Sequence, residues 1–432
     1  MDDLSRLSIE RLPSGWRIQT LSQLVEKHAA AVLPEPTEVY REIGIRSHGK
    51  GIFHKEPVRG RELGDKRVFL IKPGCLVFNI VFAWEGAVGL TSSREAGMIA
   101  SHRFPTFLPR DGRSVDTEFL RRFFLTQLGV RLLGDASPGG AGRNRTLNQK
   151  LLEQIPIPVP PLAEQQKIAS ILSSVDDAIE ASQAVIDQLQ VVKRAMMAEL
   201  LTKGLPGRHK KFKQTELGQV PEEWEVMPLG ELLEGIDGGW SPLCEASPAG
   251  PDDWGVLKVS AASWGEFRQN ENKKLPSTLA PRPALEVKAG DLILSRANTP
   301  ELVGRSVLVR QTRPRLMLSD KLLRLRSRSK LVDAAFLNLV LGTPQSRAQI
   351  EDGASGTSRS MRNISQEKLR TVVVPVPSTS EQREIAMIID ACSDRIIGDG
   401  KCFVGLAQLK SALISVLLTG EVRVRVDEEA AA

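Results

Sequence analysis

The chain is poor in the residues that build metal centres and acid-base sites. It has five histidines and four cysteines in 432 residues. Cys75, Cys244, Cys392 and Cys402 show no C-x-x-C spacing, which speaks against a zinc or redox centre, and they read as small buried apolar side chains. No stretch approaches 18 uninterrupted apolar residues, and Met1-Asp2-Asp3-Leu4 lacks the basic and apolar blocks of a signal peptide. Neither a membrane span nor secretion is expected, and the expected location is the cytoplasm. Gly44-x-x-x-x-Gly49-Lys50 copies a phosphate loop until Gly51 replaces the Ser or Thr that would hold magnesium. Gly353-x-Ser355-Gly356 misses the spacing of a nucleophile elbow, and so few histidines leave a Ser-His-Asp triad little to draw on. Asp252 followed by Glu271-x-Lys273 has the residue types of a metal-dependent nuclease, in a pattern permissive enough for chance to explain it.

What the chain does have is itself, twice. Pro158-Val159-Pro160, Glu164-Gln165, Ile168-Ala169, Lys193 and Leu200-Leu201-Thr202 return 217 positions later as Pro375-Val376-Pro377, Glu381-Gln382, Ile385-Ala386, Lys410 and Leu417-Leu418-Thr419. The heads echo too, with Pro13-x-x-Trp16 against Pro221-x-x-Trp224. The interiors barely match. A duplicated frame around two dissimilar inserts implies a pseudo-twofold object presenting two different surfaces. Charge favours a polyanionic partner without demonstrating one: 58 Lys plus Arg stand against 52 Asp plus Glu, a net +6.

After each Pro-x-Pro the apolar residues alternate in steps of four and three, from Ile168 to Leu200 and from Ile385 to Leu417. That is a heptad seam, so each segment is expected to be one long helix of about 60 Å, and the two are expected to pack on each other. Ser378-x-x-Glu381 suggests a capping box, Gly204 and Gly420 mark the ends, and Gly398, Gly400 and Gly405 predict a distortion or hinge. The inserts, 1–157 and 206–374, hold short strand-like runs at 67–71, 76–82, 256–259, 292–295 and 306–309, with helices near 117–133 and 332–341. Each reads as mixed α/β with a curved, largely antiparallel sheet. The domain reading is 1–160 and 206–377 for the inserts, 161–205 and 378–421 for the helices, and 422–432 for a tail.

The Pro-x-Pro lead into Glu-Gln-x-x-Ile-Ala, the Leu-Leu-Thr ends, the Leu12-Pro13-x-x-Trp16 head and the segments Lys72-x-Gly74-x-Leu76 and Lys288-x-Gly290-x-Leu292 resemble the DNA specificity subunit of type I restriction-modification systems. A Gly/Ser/Arg/Asn loop before each Pro-x-Pro adds to the likeness. The resemblance covers nearly the whole chain, and the order of these strings, twice over, makes it specific. It implies an α/β (α+β) fold of two target recognition domains separated by two long antiparallel coiled-coil helices. Each domain would read one half of a split asymmetric site, while the helices fix the spacing and dock two methyltransferase subunits, which restriction subunits then join. It also implies no catalysis and no cofactor here, with S-adenosylmethionine, ATP and magnesium on partner subunits. No Asn/Asp-Pro-Pro-aromatic tetrapeptide of an adenine methyltransferase occurs, which agrees.

Backbone phosphates call for dispersed Lys and Arg, and base edges for a few Arg, Asn or Lys on groove-entering loops. The DNA-binding candidates are Arg41, Arg46, His48, Lys50, Lys55, Arg143, Asn144 and Arg145 in the first insert. In the second they are Arg268, Asn270, Lys273, Lys274, Arg296, Asn298, Arg359, Arg362 and Asn363. Two other classes remain open at this stage: a stand-alone nuclease or methylase, and a duplicated coiled-coil scaffold without DNA specificity. Cleavage or methyl transfer by the purified chain would mark the first. Absence of sequence-dependent DNA retention in the presence of a methylase would mark the second.

Overall fold

A computed structural model describes residues 12–112, 114–139, 145–244, 246–358 and 361–426. The chain divides into two compact units, one made of 1–183 with 401–432 and the other of 184–400. The boundary therefore crosses both long helices. Each unit owns one recognition insert, the start of the helix that follows it, and the end of the other helix.

The helices form as the heptads require. Leu162–Lys203 is one helix of 42 residues and Thr379–Leu417 one of 39. The second runs unbroken through Gly398, Gly400 and Gly405, so the expected distortion is absent from its hydrogen-bonded span: neighbouring helix formers hold three glycines in register, at a cost of about 1 kcal/mol each. One 18-residue window of that helix reaches a mean hydropathy of 1.3, enough by length and composition to cross a membrane, although polar residues interrupt its apolar runs. Its flanks are core. Ile385 and Ile389 are buried in the second unit, Leu417 and Leu418 in the first.

In the first unit a four-stranded antiparallel sheet runs in the order Val88–Leu90, Leu76–Phe78, Thr106–Pro109, Val25–His28. The second unit has the same order with Ser306–Leu308, Leu292–Ser295, Leu322–Ser327, Leu233–Gly238. Sequence identity fails in the interiors, yet topology repeats there. Burial explains why: both sheets need only apolar side chains inward, and Leu76, Phe78 and Val88 meet that need as well as Leu292, Leu294 and Leu323. A second, three-stranded sheet accompanies each. In the second unit one of its pairs is parallel, Gly255–Leu257 with Leu316–Met317.

The helix expected near 117–133 is two, Thr117–Phe124 and Gln127–Asp135. Thr126 interrupts it, because its hydroxyl caps the second piece by accepting the Gly129 amide. The cysteines depart from expectation. Only Cys75 is buried; Cys244 and Cys392 are half-buried and Cys402 is exposed, since it falls on an outer face of its helix. Cys75, Cys392 and Cys402 are free thiols.

Candidate nucleic-acid interface

The basic residues of the first unit gather around one hairpin and one turn. Strands Ile43–Ile45 and Ile52–His54 pair with Gly44 opposite Phe53. The turn between them is closed by the Arg46 amide donating to the Gly51 carbonyl at 3.0 Å, and it is docked by His48 N to Glu85 O at 2.8 Å and Gly49 N to Gly86 O at 3.1 Å. The Ser47 hydroxyl adds a bond to the Glu85 carboxylate at 2.8 Å. His48 takes a left-handed φ of 59°, a conformation these bonds hold in place. A concavity of about 450 Å³ results, lined by Arg46, His48, Lys50, Lys55, Asn79 and three phenylalanines, Phe53, Phe82 and Phe104. Lys55 is engaged there with buried Glu42 at 3.4 Å. Arg46 lies over the Phe53 ring, 5.0 Å from its centroid, and Arg145 over Trp84 at 5.7 Å. Arg41 stands just before the hairpin with its side chain exposed. Arg143 and Asn144 lie outside the described residues.

The second unit gathers its candidates differently. Ala297–Asn298 and Met361–Asn363 pair antiparallel, with Ser355–Ser358 on the far side, so Asn298, Arg362 and Asn363 share one small sheet, and Arg296 stands at the bend just before it. Asn298 donates to the Ser263 hydroxyl at 2.9 Å, which ties that sheet to the turn before Arg268. Arg268 stacks over Trp264 at 5.9 Å while bonding Glu266 at 3.0 Å. Asn270 is exposed on the same loop. Lys273 and Lys274 lie on a strand of a different sheet, Asn272–Lys274, and Lys274 is paired with Asp253 at 2.9 Å. Arg359 lies outside the described residues. The aromatic platforms Phe53, Trp84 and Trp264 were not among the sequence candidates. Each pairing joins a cation to a ring from four to 61 positions away, so no fixed spacing could have announced them.

Behind both surfaces lies the repeated frame. The Gln165 amide donates to Pro160 O at 2.8 Å and Ser114 O at 3.0 Å and accepts the Asp116 amide at 2.8 Å. Gln382 does the same with Pro377 O, Leu331 O and the Asp333 amide, at 2.8, 2.9 and 2.8 Å. Every partner is displaced by 217. Asp116 and Asp333 in turn cap the helices Thr117–Phe124 and Ala334–Leu341. The neighbouring glutamates receive the head tryptophans: Trp16 Nε1 donates to Glu164 at 3.3 Å and Trp224 Nε1 to Glu381 at 3.2 Å. Glu381 is thereby not the back-bonding half of a capping box. Its carboxylate faces Trp224 and His209 instead, and only the Ser378 hydroxyl makes a long bond to its amide, 3.4 Å. An ion pair also ties each insert to a long helix. In the first unit Arg122 and Lys410 meet Asp176 at 3.0 and 2.6 Å, and although burial opposes its charge these cations hold that carboxyl below the usual range. In the second Arg310 meets Asp390 and Asp394.

Residues 75–191 match the family of type I restriction modification DNA specificity domains. The EcoEI specificity subunit of Escherichia coli is 39% identical over 173 residues, 40% of this chain but only 29% of that relative's length. The MjaVIII specificity subunit of Methanocaldococcus jannaschii is 29% identical over 431 residues, covering 96% of this chain and 95% of its own. The chain is thus similar along nearly its whole length to type I restriction enzyme specificity subunits. Its fold agrees: the HsdS subunit of Thermoanaerobacter tengcongensis superposes over 98% of this chain and all of its own with a TM-score of 0.50 at 18% identity. The S subunit of M. genitalium superposes over 95% of this chain and 97% of its own with a TM-score of 0.58 at 13% identity. Both curated relatives, EcoEI and MjaVIII, are named as specificity subunits of type I restriction enzymes. The family match spans the Glu-Gln motif and most of the first long helix, while the hairpin of Ile43–Ile45 and Ile52–His54 lies before it.

Proposed function

We propose that each unit reads one half of a split asymmetric DNA target, and that the two long helices pair antiparallel to set the gap and to dock two methyltransferase subunits. Restriction subunits join that core. S-adenosylmethionine, ATP and magnesium stay on the partners, and the assembly works in the cytoplasm. The observation that carries this reading is the contrast within the duplication: the frame around Gln165 and Gln382 repeats bond for bond, while the loops bearing the cations differ in fold and sequence. Two unlike readers on equivalent mounts suit two unlike half-sites, and stiff helices suit a fixed gap better than a flexible linker does.

The test is an exchange. Replacing residues 1–157 by the first insert of another specificity subunit should change one half of the methylated motif and leave the other half intact. A chimera in which both halves change would remove the independent-reader reading. Inserting four residues near Ala198–Leu201 should lengthen the gap by about two base pairs, from about 6 Å of added helix. An active variant with an unchanged gap would place the ruler in the partner subunits.

A further inference from the structure

The geometry points to Arg46 as the residue that reads a guanine in the half-site of the first unit, with Phe53 and Gly44 as positioning residues. This rests on the reading of the chain as a DNA specificity subunit. Gly44 faces Phe53 across the hairpin, and a Cβ at Gly44 would stand 2.3 Å from the Phe53 ring. A side chain at Gly44 would push the tip of that ring off the strand. The exposed face of the ring then carries the Arg46 guanidinium, 5.0 Å from the centroid, held by attraction to the ring quadrupole. Backbone mobility is removed as well, because the turn that begins at Arg46 is bonded to Glu85 and Gly86.

A cation that served only phosphates would need none of this, since a flexible lysine on a loop does as well. Lys50, exposed beside it, is of that kind. Other candidates have their donors engaged by the protein: Arg268 by Glu266, Arg362 by the Ala354 carbonyl, Lys55 by Glu42 and Lys274 by Asp253. The Arg46 side chain makes no hydrogen bond or ion pair among the described residues. A planar fork of donors, fixed in direction and unengaged, matches the O6 and N7 acceptors on the major-groove edge of guanine. The apolar floor of Phe53, Phe82 and Phe104 leaves little there to compete for the fork.

The experiment uses the full chain assembled with its methyltransferase subunits and a duplex library randomised across the target, with methylome sequencing as the cellular readout. The wild-type complex should prefer guanine at one position of the first half-site by about tenfold or more. Arg46→Ala and Arg46→Lys should abolish that preference at that position alone, and Phe53→Leu, which keeps an apolar side chain under the guanidinium, should weaken it. The slope of affinity against salt should stay unchanged. A uniform loss across all sequences with a shallower salt slope would make Arg46 a phosphate contact and overturn the inference. So would relaxation at a base other than guanine, or an unchanged motif. A wild-type complex with no sequence preference at all would instead sink the underlying reading of the chain, so the two failures are distinguishable.

Discussion

The two units close on the same kind of buried glutamate with different cations. In the first, Arg423 forks onto Glu164 with bonds of 2.7 and 2.8 Å and reaches the Ser14 carbonyl with a third. In the second the partner of Glu381 is His209, which bridges to Glu223 as well, at 2.9 and 3.0 Å. In both, the cation lies just past a glycine that turns the chain with a positive φ, Gly204 at 76° and Gly420 at 78°. Duplication has thus preserved the acid, the indole and the turn, and let the base drift. One closure rests on a guanidinium that stays charged, the other on an imidazole whose charge is lost as pH rises. What the difference teaches is that the frame tolerates a change in chemistry where geometry is kept, whereas the fully buried glutamines tolerate none: their three bonds are the same in both units.

The largest effect should come from those glutamines. Both are 0% exposed. Truncation of either leaves two carbonyls and one helix-capping residue's amide without partners in the core, a loss on the order of 3 kcal/mol or more. Gln165→Ala should lower the denaturant midpoint, with amide-exchange protection lost in the first unit, and Gln382→Ala should do so in the second. Equal losses would sharpen the equivalence of the units; loss of protection in the unit that was not altered would break it.

The frame was legible in the sequence because its residues work at fixed chain offsets: the heptads, the Pro-x-Pro strands and the glycine ends announce local geometry. The purpose of the Glu-Gln pair was not. Glutamate three residues after Ser378 looks like a cap, and only the fold reveals that a tryptophan 157 positions away and a histidine 172 away claim it first. The reading surfaces were half-legible. Arg and Asn on polar loops stand out by type, which is how Arg46, Arg145, Arg296 and Arg362 became candidates, but type cannot separate Arg46 from Lys274, whose charge is tied to Asp253. Nor could identity matching find the common sheet order of the inserts, since any apolar side chain of fitting size fills those positions.

A smaller effect should follow from making the two long helices alike. Subtracting 217 from Gly398, Gly400 and Gly405 gives Ala181, Gln183 and Gln188, so the first helix already has helix formers at these places. A Cβ at each of the three glycines meets nothing within 4 Å. Gly398→Ala, Gly400→Gln and Gly405→Gln should therefore each stabilise by about 0.5–1 kcal/mol, read as a rise in Tm. A lowered Tm would mean that the second helix depends on bending where the first does not.

The smallest expected effect is a slope rather than a level. Burial works against a charge on His209, but hydrogen bonds to Glu381 and Glu223 more than offset it and hold its pKa above the ordinary value. The groups around it are Trp224, whose ring meets the imidazole edge-on at 6.0 Å, and the adjacent Arg208–Glu384 pair, which is self-neutralising. A histidine with a raised folded pKa binds its proton more tightly folded than unfolded. Its contribution is therefore fully present below the unfolded value of about 6.5 and is lost as pH rises through the folded one. Protection of the second unit should decline between mildly acidic and mildly alkaline pH, with no matching decline from the Arg423 closure of the first. His209→Arg should flatten that dependence and bring the second unit to the behaviour of its twin. A wild-type second unit whose stability is level across that window would show that neutral imidazole closes on Glu381 as well as the imidazolium does, and the contrast between the two closures would then be one of geometry alone.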